Sequence, residues 1–315
     1  MDIPFDNTQP RLTFDELRKT YGKTVALEGL SLEVHSGEIF GMIGPDGAGK
    51  TTAMRVACGL LLPDSGTAHV MGYDVVKKPA AIKNHIGYMP QRFSLYPDLT
   101  VAENLRFFAD LYEVPRSERL AREQRLMQFS RLEPFKNRRA GQLSGGMKQK
   151  LALSCTLIHT PDVLILDEPT TGVDPLSRQE FWNILRDLAM SGQALLVSTP
   201  YMDEAQLCNR VALMHRGKAL AVGTPDAIPG KFNRRLIEVT GDGLNAARHA
   251  LADDQELDKI TVARFGDRLH IVYDTDAQAQ AIFRRLAGAG VKYRLVDPTI
   301  EDTFVALMGN GDTAA

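Results

Sequence analysis

The sequence predicts an α/β fold that carries an antiparallel β subdomain, a helical insert and a smaller α+β unit at its C-terminal end. Three observations lead there. Short apolar runs, Ile39 to Ile43 and Val163 to Leu166, are followed by a glycine-rich loop and an acidic pair, as buried strands of an α/β sheet are. The middle third changes texture: Val101 to Tyr112 and Ser117 to Leu132 read as two charged, amphipathic helices, broken near Val114-Pro115 and Glu133-Pro134. The tail runs strand, helix, strand, strand, helix, strand, the split βαβ pattern.

Bulk properties agree. A chain of 315 residues, 44% hydrophobic and 24% charged, is comfortable for two domains and buries an ordinary core. The net charge of -2, with no basic stripe laced with aromatics, argues against nucleic acid as a partner. Cys58, Cys155 and Cys208 are scattered through apolar, helical contexts, which points to a reducing compartment with no disulfide framework or zinc site. The acidic start, MDIPFDNTQP, lacks the apolar core of a signal peptide. No window approaches 18 consecutive apolar residues, so no membrane span is expected.

In order, Arg11 to Leu17 and Ala26 to Val34 read as paired strands, with Leu30, Leu32 and Val34 alternating with Ser31 and Glu33. Tyr21, placed with Gly22 in the turn between them, is either a surface aromatic or a stacking platform for a nucleobase. After the strand at Ile39 comes Gly44-Pro45-Asp46-Gly47-Ala48-Gly49-Lys50-Thr51, which fits GxxxxGK[ST] at every fixed position. Backbone N–H groups that all point inward at phosphate oxygens leave little room for β-carbons, so glycines recur. A helix beginning near Gly49 and running over Thr51 to Leu61 adds its unpaired N–H groups and dipole. Lys50 supplies a charge for β- and γ-phosphates, and the Thr51 hydroxyl is a ligand for Mg²⁺.

Leu62 to Gly66 is a turn, Thr67 to Met71 a short strand, and Ile86 to Met89 another, ending at Pro90-Gln91. The stretch from Arg92 to Leu99 carries Phe93, Leu95 and Tyr96 among turn residues around Ser94, either as an anchor for a partner or as core. Next, Leu143-Ser144-Gly145-Gly146 precedes a helix from Met147 to Ile158, which makes a second anion site at a helix N-terminus. The strand Val163 to Leu166 ends in Asp167-Glu168. Carboxylates beside a core are costly unless paired or metal-bound. With Lys50 and Thr51 upstream, Asp167 is assigned to the Mg²⁺ shell and Glu168 to polarising an attacking water.

With both clusters on the page, the chain resembles the nucleotide-binding subunits of ATP-binding-cassette (ABC) transporters, and more narrowly the cassettes of the two-gene bacterial exporter group that includes drug-resistance ATPases. The likeness covers roughly Leu12 to Thr224. It implies a P-loop cassette over residues 11–230, with a helical subdomain at about 92–160; the split βαβ pattern of the tail adds an accessory domain over 231–309. It implies ATP and Mg²⁺ as ligands. It also implies an integral membrane permease and a second cassette as partners, on the cytoplasmic side of the inner membrane. The phosphate loop, Gly44 through Thr51 and on to Thr52, has Asp46 where the family usually has Asn. Tyr21 falls on the adenine-stacking position and Gln91 on the γ-phosphate-sensing glutamine, which joins the metal shell. Leu143, Ser144, Gly145 and Gly146 match the LSGG signature, and Gly172-Val173-Asp174 the loop that crosses the dimer interface.

One departure stands out. After the strand Ala194 to Ser198 the family pattern is close to STHYxDEA, and this chain reads Ser198-Thr199-Pro200-Tyr201-Met202-Asp203-Glu204-Ala205. Pro200 occupies the place of the switch histidine and offers neither a side-chain donor nor an N–H. ATP binding is expected to survive and turnover to be slow. A homodimer, a heterodimer with a complete cassette, and a sensor or scaffold that barely hydrolyses all remain consistent with that. A soluble cassette protein acting on ribosomes or DNA is disfavoured, because neither tandem cassettes nor a long coiled-coil insert is present.

Beyond Thr224-Pro225 and Pro229-Gly230, residues 235 to 297 are expected to form a small ferredoxin-like sandwich. It serves either as a regulatory site or as a dimer brace. Its closing stretch, Asp297 to Phe304, resembles the C-terminal signature of this exporter group.

Overall fold

The computed structural model describes residues 9–92, 95–232, 234–252, 257, 260–287 and 289–312. They form two compact units that divide after Thr224, several residues before a boundary drawn at 230.

The first unit holds β1 (Leu12–Tyr21), β2 (Thr24–Val34), β3 (Ile39–Ile43), α1 (Lys50–Ala57), β4 (Ser65–Val70), β5 (Tyr73–Asp74), α2 (Pro79–Ile82) and β6 (Ile86–Met89). It continues with α3 (Val101–Leu111), α4 (Arg116–Phe129), α5 (Gly145–Leu157), β7 (Val163–Asp167), α6 (Pro175–Met190), β8 (Ala194–Thr199), β9 (Arg210–His215) and β10 (Lys218–Gly223). Two sheets result. One is antiparallel, in the order β2-β1-β4-β5. The other runs β10-β9-β3-β8-β7-β6, parallel except for the β9–β10 hairpin.

The second order explains the apolar runs. β3, β7 and β8 lie inside the sheet and every residue of each is buried, so neither face tolerates the alternation seen in β2. Register brings their carboxyl ends level: Ile43 pairs with Thr199, Asp167 with Ser198, and Met89 with Leu166. In open α/β sheets ligands bind beyond the carboxyl ends of the strands. Gly44, Gln91, Glu168 and Pro200 each follow closely after one of these ends.

The helical insert has its own core of Val101, Leu105, Met127, Leu132, Ala140, Leu143, Leu151 and Cys155. A capping box starts α3, with Thr100 accepting from the Glu103 amide and Glu103 accepting from the Thr100 amide. Buried Asn104 ties down the approach to it: its side chain accepts from the Tyr96 amide and donates to the Tyr96, Leu99 and Thr100 carbonyls. Leu95 packs against this core, while Tyr96 stays half exposed beside Phe107, with ring centroids 4.4 Å apart. Phe93 and Ser94 lie outside the described residues.

Two elements differ from the sequence expectation. α1 stops at Ala57 instead of reaching Leu61, and Leu60 and Leu62, which prolong the apolar periodicity, are 65% and 62% exposed. Their pattern marks a surface, not a helix face. α6 has no counterpart in the expectation, although its signals are local: Asp174 caps it by accepting from the Ser177 amide, and Pro175 follows in the first turn.

The second unit is β11 (Arg235–Thr240), α7 (Leu244–Ala252), β12 (Thr261–Phe265), β13 (Arg268–Tyr273), α8 (Asp276–Leu286), β14 (Lys292–Leu295) and α9 (Ile300–Asp312). Its sheet runs β12-β13-β11-β14 and every pairing is antiparallel, the ferredoxin-like arrangement of a split βαβ unit. α7 and α8 cover one face through Leu244, Ala247, Ala279 and Ile282. Toward the other face, Ala306 of α9 packs near Leu236 and Val272. Asp302 fastens α9 there, its carboxylate meeting the His270 ring nitrogen and the Thr299 amide and hydroxyl.

Candidate nucleotide site

The loop between β3 and α1 wraps around its own lysine. Lys50 is buried, and its Nζ donates to the Gly44 carbonyl at 2.6 Å and the Pro45 carbonyl at 3.0 Å. The same ammonium lies 3.6 Å from Glu168 Oε1. Pro45, Asp46 and Gly47 form the exposed crest of the loop, while Ala48 and Gly49 are buried and Thr51 and Thr52 half-buried. Gly49 caps α1 at φ 100° with its Cα against the Ala26 carbonyl of β2. Beside it, the Gly217 amide in the β9–β10 turn donates to the Ala48 carbonyl at 3.0 Å. Two separate elements thus brace the loop.

The acidic pair sits opposite. Asp167 ends β7, and its Oδ1 accepts from the Thr51 hydroxyl at 3.1 Å and the Ser198 hydroxyl at 2.6 Å. Glu168 Oε2 accepts from Gln91 Nε2 at 2.9 Å and from the Thr171 hydroxyl at 3.3 Å. Its backbone is left-handed, at φ 49°, and its amide donates to Ser198 at both the carbonyl and the hydroxyl oxygen. Burial and then the negative charge of Asp167 push the Tyr88 hydroxyl up to about 12, and the same two causes raise the Cys58 thiol. Asp167 therefore projects a field across this end of the sheet.

Lys50, Thr51, Gln91, Asp167 and Glu168 form one cluster, although 116 positions separate Thr51 from Asp167. The ligand atoms it can offer a metal are oxygens, from the Thr51 hydroxyl, the Asp167 carboxylate and the Gln91 amide. Such a set suits a hard cation such as Mg²⁺. Among the described residues no group of three or more His, Cys, Asp or Glu side chains is arranged for a metal.

The second motif is built elsewhere. Ser144 caps α5, its hydroxyl accepting from the Met147 amide at 3.3 Å. Gly146 is pressed against Ser177 at the start of α6, and Gly145 faces the Gly172 carbonyl. Ser144, Gly145 and Asp174 thus share a surface formed where α5 meets α6, with Gly146 buried beneath them. Leu143 does not: it is 5% exposed and belongs to the insert core, so its side chain packs the lobe and offers nothing to a ligand. Tyr21 ends β1 instead of sitting in the turn, 48% exposed, with the Lys19 ammonium 5.9 Å from its ring centroid.

A family model described as ABC transporter matches residues 27–171. "Nod factor export ATP-binding protein I" of Paraburkholderia xenovorans (strain LB400) is 38% identical over 301 residues, covering 95% of this chain and 97% of that protein. The chain belongs to the ABC transporter family. "Probable multidrug ABC transporter ATP-binding protein YbhF" of Escherichia coli (strain K12) is 41% identical over 290 residues, or 92% of this chain and 50% of that protein. This cassette therefore spans about half the length of that relative. A solved structure titled "Dimeric structure of a post-hydrolysis state of the ATP-binding cassette MJ0796 bound to ADP and Pi" superposes with a TM-score of 0.61 at 26% identity, over 68% of this chain and 98% of that one.

In this ABC cassette Pro200 follows β8 directly and is half-buried. Sequence reasoning passed over two residues that the fold places in the cluster, Ser198 and Thr171. Ser198 bridges the acidic pair, donating to Asp167 and accepting from the Glu168 amide. The available signal was a hydroxyl residue at the end of an otherwise apolar strand. Among the described residues no helix is long and apolar enough to cross a membrane.

Proposed function

We propose that this cassette binds Mg-ATP at Lys50, Thr51, Gln91, Asp167 and Glu168 and hydrolyses it to drive export through a separate membrane subunit. The convergence of those five side chains at the carboxyl ends of β3, β6 and β7 carries the reading. Lys50 and the amides at the start of α1 hold the phosphates. Thr51 and Asp167, with Gln91, hold Mg²⁺, which when bound neutralises charge on the β- and γ-phosphates. Glu168 accepts a hydrogen bond from the attacking water and draws its proton, and Gln91 orients that carboxylate. Tyr21 supplies a stacking face for the base.

Ser144, Gly145 and Asp174 lie on the α5/α6 surface, with Gly146 buried against Ser177 behind them, so that surface serves a nucleotide held by the phosphate loop of a second cassette. The dimeric title of the superposed cassette supports such pairing. Pro200 leaves this chain's own site without one donor, while its Ser144 surface is intact. That asymmetry favours a partner cassette with a complete switch position.

For the membrane subunit, a groove of about 440 Å³ lined by Cys58, Leu60, Lys83, Tyr88, Leu111 and Tyr112 is the docking face. It presents exposed leucines beside β6, the strand that delivers Gln91 to Glu168, and it receives a cytoplasmic segment of that subunit. The cassette then works peripherally on the cytoplasmic face of the membrane; the names of its relatives, an ABC transporter ATP-binding protein and an export ATP-binding protein, support its serving a transporter.

Isothermal calorimetry with Mg-ATP tests the reading. Lys50→Ala is expected to weaken binding by tens-fold or more, since a hydrogen bond to a charged group contributes roughly 1.5–3 kcal/mol. A folded Lys50→Ala protein with wild-type affinity refutes it.

A further inference from the structure

We infer that Glu204 is a positioning residue for Glu168, acting through the Thr170 hydroxyl. The inference rests on the reading of Glu168 as the group that polarises water. After Pro200 the chain enters a short 3₁₀ turn, Met202–Leu207, and Glu204 within it is 1% exposed. A carboxylate so placed is costly unless donors surround it. The donors, all to Oε1, come from two other elements. Thr170, in the loop after β7, donates its hydroxyl to Glu204 Oε1 at 2.7 Å, and Trp182 of α6 donates its indole N–H to the same oxygen at 3.1 Å. Arg178 of α6 supplies the counter-charge, with Nε 3.6 Å from Oε1, and its guanidinium lies over the Tyr201 ring at 4.5 Å.

This clamp grips the turn that carries Glu168. The left-handed backbone of Glu168 is unfavourable for a residue with a β-carbon, and such conformations persist where the surroundings over-determine them. One anchor is the Glu168 amide, bonded to Ser198. The other is Thr170, two residues on, bonded to Glu204. Local bonds from the Thr171 amide to the Glu168 carbonyl, and from the Val173 amide to the Thr170 carbonyl, close the turn between and beyond them. Both anchors lie in residues 198–204, the segment in which Pro200 stands in the histidine's place. Lacking that side-chain donor, the segment contributes by holding the acid in position.

The test uses the full chain and compares Thr170→Val, which keeps the shape but deletes the hydroxyl, with Thr170→Ser, which keeps the hydroxyl. Single-turnover hydrolysis of radiolabelled ATP, ATP affinity, and deuterium exchange over residues 168–173 are measured together. Thr170→Val is expected to slow hydrolysis roughly tenfold or more, the scale of one lost hydrogen bond to a charged group. Its ATP affinity should stay within about twofold, exchange over 168–173 should rise, and Thr170→Ser should match wild type in all three. Unchanged exchange in a folded Thr170→Val protein, or equal losses in the two variants, overturns the inference. If Thr170→Val does not fold, Thr170→Ala decides, because it too removes the hydroxyl that Glu204 accepts from; unchanged exchange there overturns it equally. Glu168→Gln separates the two readings. Wild-type turnover in that variant refutes the role of Glu168, while the exchange arm still decides whether Glu204 holds the turn.

Discussion

Replacing Gly49 with alanine tests how tightly the phosphate loop is built into the fold. At φ 100° an alanine is strained, and a β-carbon there would sit 2.4 Å from the Ala26 carbonyl oxygen and 3.1 Å from a Leu27 methyl. The backbone term is about 1–2 kcal/mol. The contact with the Ala26 oxygen is too short by most of an ångström and involves main chain on both sides, so β2 or the loop must move, at a cost of about 1–3 kcal/mol. Reduced freedom of the unfolded chain returns about 0.4–1 kcal/mol. The net loss is then about 1–5 kcal/mol. Gly47 is the control: its φ is 79° and nothing lies within 4 Å of its β-carbon position, so only the backbone and unfolded-chain terms remain. Its net loss is about 1 kcal/mol or less by the same terms. Calorimetric melting of the full chain reads the difference in the transition of the first unit, at roughly 2–4 °C per kcal/mol for a domain of this size. Gly49→Ala should lower that transition by about 2–20 °C and Gly47→Ala by only a few degrees. Equal shifts for the two variants, or a Gly49→Ala transition within about 2 °C of wild type, would refute the packing account.

Three further outcomes are expected. Pro200→His should raise the ATP turnover of the isolated cassette, by as much as about a hundredfold if a transition-state donor is regained; an unchanged rate in a steady-state ATPase assay would show that another group already fills the role. The Asp64 carboxyl is held down to about 2, first by the hydrogen bond from Lys19 and then by those from the Thr20 hydroxyl and amide. Because its folded value lies below its ordinary 3.8, its contribution to stability is present above about pH 4 and lost as pH falls towards 2. Asp64→Asn should flatten the dependence of Tm on pH within that window, and an unaltered slope would count against the assignment. Thr100→Ala removes the cap of α3 and should cost about 1 kcal/mol, read as a Tm lower by about 2–4 °C.

What the amino-acid sequence determined by itself is whatever a few consecutive residues specify. The phosphate loop is legible because its conformation demands glycine at fixed offsets and a lysine at the first turn of a helix. Asp167-Glu168 is legible because acids directly after a buried strand require a partner. Ser144 and its glycines read as a helix N-terminus for the same kind of local reason, and the split βαβ tail because strand and helix periods differ. Pro200 is visible as a missing donor without any coordinates.

Tertiary structure alone decided which of these pieces meet. Thr51 reaches Asp167, and Gln91 reaches Glu168, because β3, β8, β7 and β6 end level in one sheet. Strand order depends on how whole elements pack, so spacing along the chain does not encode it. Leu143 and Leu60 show the same limit for single residues: both are apolar within motif or periodic stretches, yet one is buried in the insert core and the other lies at the surface. Glu204 shows it most sharply. In sequence it is one acid among several after a strand. In the fold it meets Thr170, Arg178 and Trp182 inside the protein, because the loop after β7, α6 and the turn after β8 converge where water is excluded and a lone charge must be matched.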